Sequence, residues 1–378
     1  MSTRASSLVV ALAVVSLSSA CAGDDDEGAE GGSFTGASAS SPSGTVGEGT
    51  LGDADGSDGS GGDGPTTMPS STTTTADDGS SDGGSDDGTS GGEVPFDAGL
   101  CGEPVPGGAP VPPAPPAYSG GACPMLQPGY NTGFMAGGLS REFALIVPSA
   151  VDDTGTYPLL FAWYHISGNA MDFVNEVDAQ ALADESRAII VIPQDSGMFQ
   201  AKWPDTPLDI GQSGVDLAMF DDLYACISQQ YAINQQCVSS LGVSAGGLWT
   251  SYLGTVRGQY LASDLTISGG HPSEIVGPWW PWNSPRPFAT LVMWGGPSDM
   301  LGIDFNAASL NLLADYTGSG HFILRCEHTG GHGVPPAGDG DPLKTAIHFV
   351  RNHPFWLDGD SPLDNGLPSY YPSYCVVP

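Results

Sequence analysis

The stretch GVSAGG, Gly242 to Gly247, decides how this chain is read. It matches G-x-S-x-G, the spelling of a serine on a sharp turn between a strand and a helix. In a chain with 55 glycines the spelling also arises by chance, and Ser244 is then one more small residue in a loop. The flanking sequence separates the two readings. CVSSLGV (237–243) has the pattern of a short strand, and LWTSYLG (248–254) is compatible with a helix. Glycines at 242 and 246 let the backbone bend tightly, and the N–H groups opening the next helix point towards the serine.

Further out, apolar runs alternate with helical patterns. REFALIVP (141–148), YPLLFAWYH (157–165) and RAIIVIPQD (187–195) read as strands, the last two apolar enough to be buried on both faces. Leu217, Phe220, Leu223, Tyr224, Ile227 and Tyr231 recur at helical spacing, so a helix starts near Asp216. LASDLTISGG, FATLVMWGG and HFILRCEH read as later strands, with helices over 305–316 and 342–352. Such alternation predicts an α/β fold, a mainly parallel central sheet with helices on both faces.

A serine hydroxyl needs a base, and the base needs a carboxylate to hold its tautomer. On this architecture the chain order is serine, acid, histidine, each on a loop at the carboxyl end of a strand. Asp299 follows the strand FATLVMW by a glycine turn, where the acid belongs; Asp304 reads as the cap of the next helix, and Asp264 precedes its strand. His332, in TGGHGVP, follows the last predicted strand on a flexible loop. His328 is its rival, and the pair spells H-x-x-x-H, but two intervening glycines argue against a zinc-binding helix. His348 and His353 read as packing or surface residues, and His165 as a loop brace. For the oxyanion, the expected donors are the backbone N–H of Ala245 and one from the loop YHISGNAMDF, at Ser167 or next at Ile166.

The N-terminal third has a different composition. Arg4, the apolar run Leu8–Leu17 and Ser18-Ser19-Ala20 before Cys21 form a signal peptide over residues 1–20, too short to span a bilayer. Cleavage before Cys21 would leave an acylated cysteine and a lipid anchor, so an outer-membrane or cell-surface lipoprotein is expected. Ordinary cleavage after Ala20 or Ala22 would give a soluble secreted protein instead. Residues 22–122 read as a disordered tether, first acidic and rich in Gly, Ser, Thr and Asp, then Pro-rich through VPGGAPVPPAPPAY. DADGSDGSGGDG (53–64) lacks the glycine and the carboxylate that a calcium loop needs at its sixth and twelfth positions. Residues 123–378 then form one catalytic domain. The chain has 43 acidic against 9 basic residues, the wrong sign for binding phosphate, so nucleic acid is excluded as a partner. Of the seven cysteines, Cys21 is assigned to lipid and six to disulfides. Proximity favours Cys101–Cys123 and Cys226–Cys237, leaving Cys326–Cys375.

Taken together, HISGNAMDF, the run DLAMFDDLYACISQQYAIN into CVSSLGVSAGG, WGGPSD and RCEHTGGHGVP resemble the α/β-hydrolase esterase family of polyhydroxybutyrate depolymerases and feruloyl or acetylxylan esterases. The resemblance covers most of residues 140–353, with His165-Ile166 where the family usually has His-Gly. It implies hydrolysis of carboxylic esters, of polysaccharides or of polyesters, through an acyl-enzyme without a metal; no cofactor is expected, and the chain is expected to act as a monomer. Trp279, Trp280 and Trp282 in PWWPWNSPRPF, with Trp203 in AKWPDTP, are candidates for stacking on substrate; packing against the core is the other reading. Three rival functions remain open: a serine peptidase with the same residues, an inactive surface-binding module, and a purely structural envelope lipoprotein, which would leave the serine, acid and histidine unexplained.

Overall fold

Four strands in the middle of the sheet are buried at every position, which requires cover on both faces. They are β3 (Tyr157–Trp163), β4 (Ile189–Pro193), β6 (Ser263–Ile267) and β7 (Ala289–Trp294). The computed structural model describes residues 99–150, 155–196, 203, 214–273, 283–336 and 340–378. All of them lie in the second of the chain's two compact units, Met1–Asp86 and Asp87–Pro378. The signal peptide, Cys21, the acidic tract and Trp279, Trp280 and Trp282 lie outside the described residues.

With β1 (Gly129–Ala136), β2 (Leu139–Ile146), β5 (Ile233–Val243), β8 (Phe322–Glu327) and β9 (Cys375–Val376), the sheet runs β1-β2-β4-β3-β5-β6-β7-β8-β9. Pairings from β4 to β8 are parallel, and β1, β2 and β9 are antiparallel to their neighbours. The helices are α1 (Ala170–Glu176), α2 (Ala179–Ser186), α3 (Val215–Gln230), α4 (Ala245–Arg257), α5 (Phe305–Thr317) and α6 (Pro342–Asn352). Phe161 and Trp163, two apart on β3 and so on one face, pack on Phe220 of α3 and Trp249 of α4. Lys344 of α6 pairs with Glu185 of α2, and Asp304 caps α5 by accepting from the Ala307 N–H. No helix among the described residues is long and apolar enough to cross a membrane.

Two of the three expected disulfides are exchanged. The bonds are Cys101–Cys237, Cys123–Cys226 and Cys326–Cys375. Nearness along the chain misleads because Cys226 and Asp222 share one face of α3, and that face receives the arm before β1. Asp222 accepts from the N–H and the hydroxyl of Ser119, both at 2.7 Å, and Cys123 reaches Cys226 one turn on. Cys101 is buried beside β5, where the Asn234 amide donates to its carbonyl at 2.7 Å. The Pro-rich arm, expected to be free up to residue 122, is therefore tied down at both ends. The first two bonds close chain separations of 136 and 103 residues. Replacing Cys123 and Cys226 together by Ser should cost about 2–5 kcal/mol, measured as a lower guanidinium midpoint.

Asp264 in β6 is fully buried, with no hydrogen-bond partner on either carboxyl oxygen. Thr290 stands opposite it on β7, and desolvation pushes its pKa well above the ordinary carboxylate value. The folded protein therefore keeps this proton to a higher pH than the unfolded chain, and stability falls as pH rises above about 4. Asp264→Asn should flatten that slope. Its thermal midpoint, compared with the wild type, should gain steadily from mildly acidic to alkaline pH.

Candidate active site

Strand β5 ends at Val243 and α4 begins at Ala245, so Ser244 alone makes the turn. Its backbone has φ 57° and ψ −116°, a conformation that non-glycine residues rarely adopt and that costs about 1–3 kcal/mol. The glycines around it are sterically required. A Cβ on Gly242 would sit 2.0 Å from the Gly246 carbonyl oxygen, and one on Gly246 would sit 2.1 Å from that of Trp163. The turn thus closes against the carboxyl end of β3 and aims the serine side chain across the end of the sheet.

Three side chains meet there. Ser244 Oγ lies 2.8 Å from His332 Nε2, and His332 Nδ1 lies 2.6 Å from Asp299 Oδ1. An ionised carboxylate only accepts, so Nδ1 carries the ring proton, Nε2 is the acceptor, and the serine hydroxyl donates to it. Asp299 is fully buried. Its Oδ2 accepts from the Ser268 hydroxyl at 2.7 Å and the Gly295 N–H at 3.0 Å. Burial works to raise the Asp299 pKa, but the bonds from His332, Gly295 and Ser268 outweigh it and leave the pKa below the ordinary value. The Phe305 ring lies against the imidazole, with centroids 4.3 Å apart.

The other histidines are held elsewhere. His328 Nδ1 accepts from the Gly330 N–H at 3.1 Å, and burial lowers its pKa. His353 is buried between the Phe349 carbonyl and the Ser361 hydroxyl, and burial brings its pKa down to about 4. His348 stacks on Tyr370, and His165 braces its loop between Ser167 and Glu176. No group of His, Cys, Asp or Glu among the described residues is arranged to hold a metal ion.

No family model matches the sequence. Over 175 residues the chain is 24% identical to feruloyl esterase D of Neurospora crassa, a match covering 43% of this chain and 57% of that protein. The chain thus spans little more than half the length of that relative. Among solved structures, native sOPH superposes with a TM-score of 0.54 at 19% identity, over 68% of this chain and 96% of its own. Native pOPH gives 0.53 at 17%, again over 68% and 96%. The fold is that of the α/β-hydrolases. The resemblance to their esterase group, first read from the motifs, stands.

Within this hydrolase fold, Ala245 opens α4, so its N–H is among the first-turn donors that have no partner inside the helix. Ser167 is exposed in a turn closed by the Gly168 N–H on the His165 carbonyl at 3.1 Å. The same loop touches the serine turn at Trp163 and Tyr164. Trp203 requires correction as a stacking surface. It is fully buried, edge-on to Trp163, and its indole N–H donates to the Tyr164 carbonyl at 3.0 Å. It therefore supports the loop that carries Ser167 from below. Ser268 and Phe305 went unread in the sequence. The only signal for Ser268 was its position in ISGG just past a strand, the same kind of place that Ser244 occupies.

Proposed function

We propose that this chain is an exported serine esterase. The observation that carries the reading is the unbroken line from the Ser244 hydroxyl through His332 to a buried, ionised Asp299. In the reaction, His332 Nε2 takes the hydroxyl proton as Ser244 Oγ attacks the ester carbonyl carbon. The N–H of Ala245 and one from the Ser167 turn receive the charge on the carbonyl oxygen. The intermediate collapses, His332 returns the proton to the departing alkoxide, and an acyl-enzyme remains. Water then adds with His332 again as base, releasing the carboxylic acid and restoring Ser244. Asp299 keeps the Nδ1 proton throughout and stabilises the imidazolium.

The substrate proposed is an ester whose acyl group carries apolar surface. Ile166, Met300, Leu301 and Val334 are exposed, and each is a near neighbour in sequence of Ser167, Asp299 or His332. Feruloyl esters and polyester chains are the substrate classes this supports. The three disulfides fit an oxidising compartment, in keeping with a signal peptide and a lipid-bearing Cys21. A fluorophosphonate probe tests the core of the reading. The wild type should take up one label, and neither Ser244→Ala nor His332→Ala should. A folded wild type that takes no label would overturn it.

A further inference from the structure

Ser268 lies at the end of β6, one strand over from Ser244, and it too turns the chain at positive φ, 46°. It is fully buried. Its hydroxyl is within 2.7 Å of Asp299 Oδ2, and the N–H of Gly333, the residue after His332, reaches it at 2.8 Å. The Gly333 carbonyl also lies near, at 3.5 Å, but the hydroxyl has one proton, and the charged acceptor at 2.7 Å holds it. The hydroxyl therefore donates to the acid and accepts from the histidine loop.

The Gly333 bond is one of several restraints on that loop, beside the Gly330 N–H on His328 Nδ1 and the Phe305 ring against His332. Gly331 and Gly333 both sit at positive φ, at 76° and 102°, and Gly331 packs so closely on Gly295 that a Cβ on Gly295 would lie 2.0 Å from the Gly331 carbonyl oxygen. With Oδ2 saturated by Ser268 and Gly295, Asp299 presents Oδ1 to His332, and the Gly333 bond fixes the imidazole at its height above the sheet. We propose that Ser268 is the positioning residue that couples the acid to the histidine, setting both the direction of the carboxylate and the reach of Nε2 to Ser244. This rests on the esterase reading above.

The test uses the full chain with a 4-nitrophenyl ester and compares the wild type with Ser268→Ala and Ser268→Gly. Glycine suits the positive φ and removes the whole side chain, the hydroxyl included, so it keeps the test open if alanine fails to fold at that φ. Both variants should lose about 10–100-fold in kcat with KM changed less than threefold, the pattern of an interaction that matters in the transition state. The acid limb of the pH–rate profile should move to higher pH. A carboxylate relieved of one donor is more basic and holds the imidazolium more strongly. His328, which feels the Asp299 charge, is a titratable group nearby, with Asp304 and Glu327 beside the Asp299 loop, and His328→Gln should leave that displacement in place. A folded glycine variant with wild-type kcat and an unmoved acid limb would overturn the proposal. An inactive, unlabelled wild type would instead overturn the esterase reading on which it stands.

Discussion

Alanine at position 244 is expected to lower kcat for ester hydrolysis by about 10⁵- to 10⁶-fold, since without the hydroxyl no acyl-enzyme can form. The residual rate over water should be about 10³-fold, supplied by the oxyanion donors and by binding. Stability should barely change. The substitution removes one hydrogen bond to His332, worth about 1 kcal/mol, from a partly open site. Ser244→Gly should be more stable than Ser244→Ala, because glycine takes φ 57° without steric cost. Active-site titration with the fluorophosphonate separates true loss from wild-type contamination. A Ser244→Ala protein that kept even a hundredth of the wild-type kcat would exclude Ser244 as the nucleophile.

The serine turn was legible because its chemistry is local. Two glycines that cannot carry a Cβ, an apolar strand before and a helix after are all adjacent in the chain. That Asp299 and His332 come together with Ser244 was legible through the order of strands, since the carboxyl ends of β7 and β8 lie beside that of β6, next to β5. What depended on contacts far apart in sequence was not legible. The disulfide arms follow from Asp222 and Cys226 sharing a face of α3 and gathering a segment 103 residues distant. Ser268 gains its meaning only when Gly333, 65 residues later, returns to it. Trp203 stands between Lys202 and Pro204 in the sequence, as a surface residue would, and is buried because the Tyr164 carbonyl satisfies its indole N–H. A buried tryptophan needs one such partner, and composition does not show whether it has one.

Asp299→Asn is expected to cost about 10⁴-fold in kcat, although the side chain is isosteric. The cause lies in the partners of Oδ2. The Gly295 N–H, 3.0 Å away, can only donate, so the amide oxygen must take the Oδ2 position. The Ser268 hydroxyl, donating to the same oxygen, favours the same orientation. The amide NH2 is then turned towards His332 Nδ1, which must become an acceptor. The ring proton moves to Nε2, and Nε2 can no longer take the proton of Ser244. The same change has a stability signature. Asp299 has a folded pKa below its unfolded value, so its contribution is present above the unfolded value and is lost as pH falls through the folded one. The difference in thermal midpoint between wild type and variant should therefore be largest near neutral pH and narrow as the pH falls below about 4. A kcat for Asp299→Asn within tenfold of the wild type would mean that the carboxylate does not set the tautomer. The fixed arrangement of Gly295, Ser268 and His332 around it would then be a feature of folding alone.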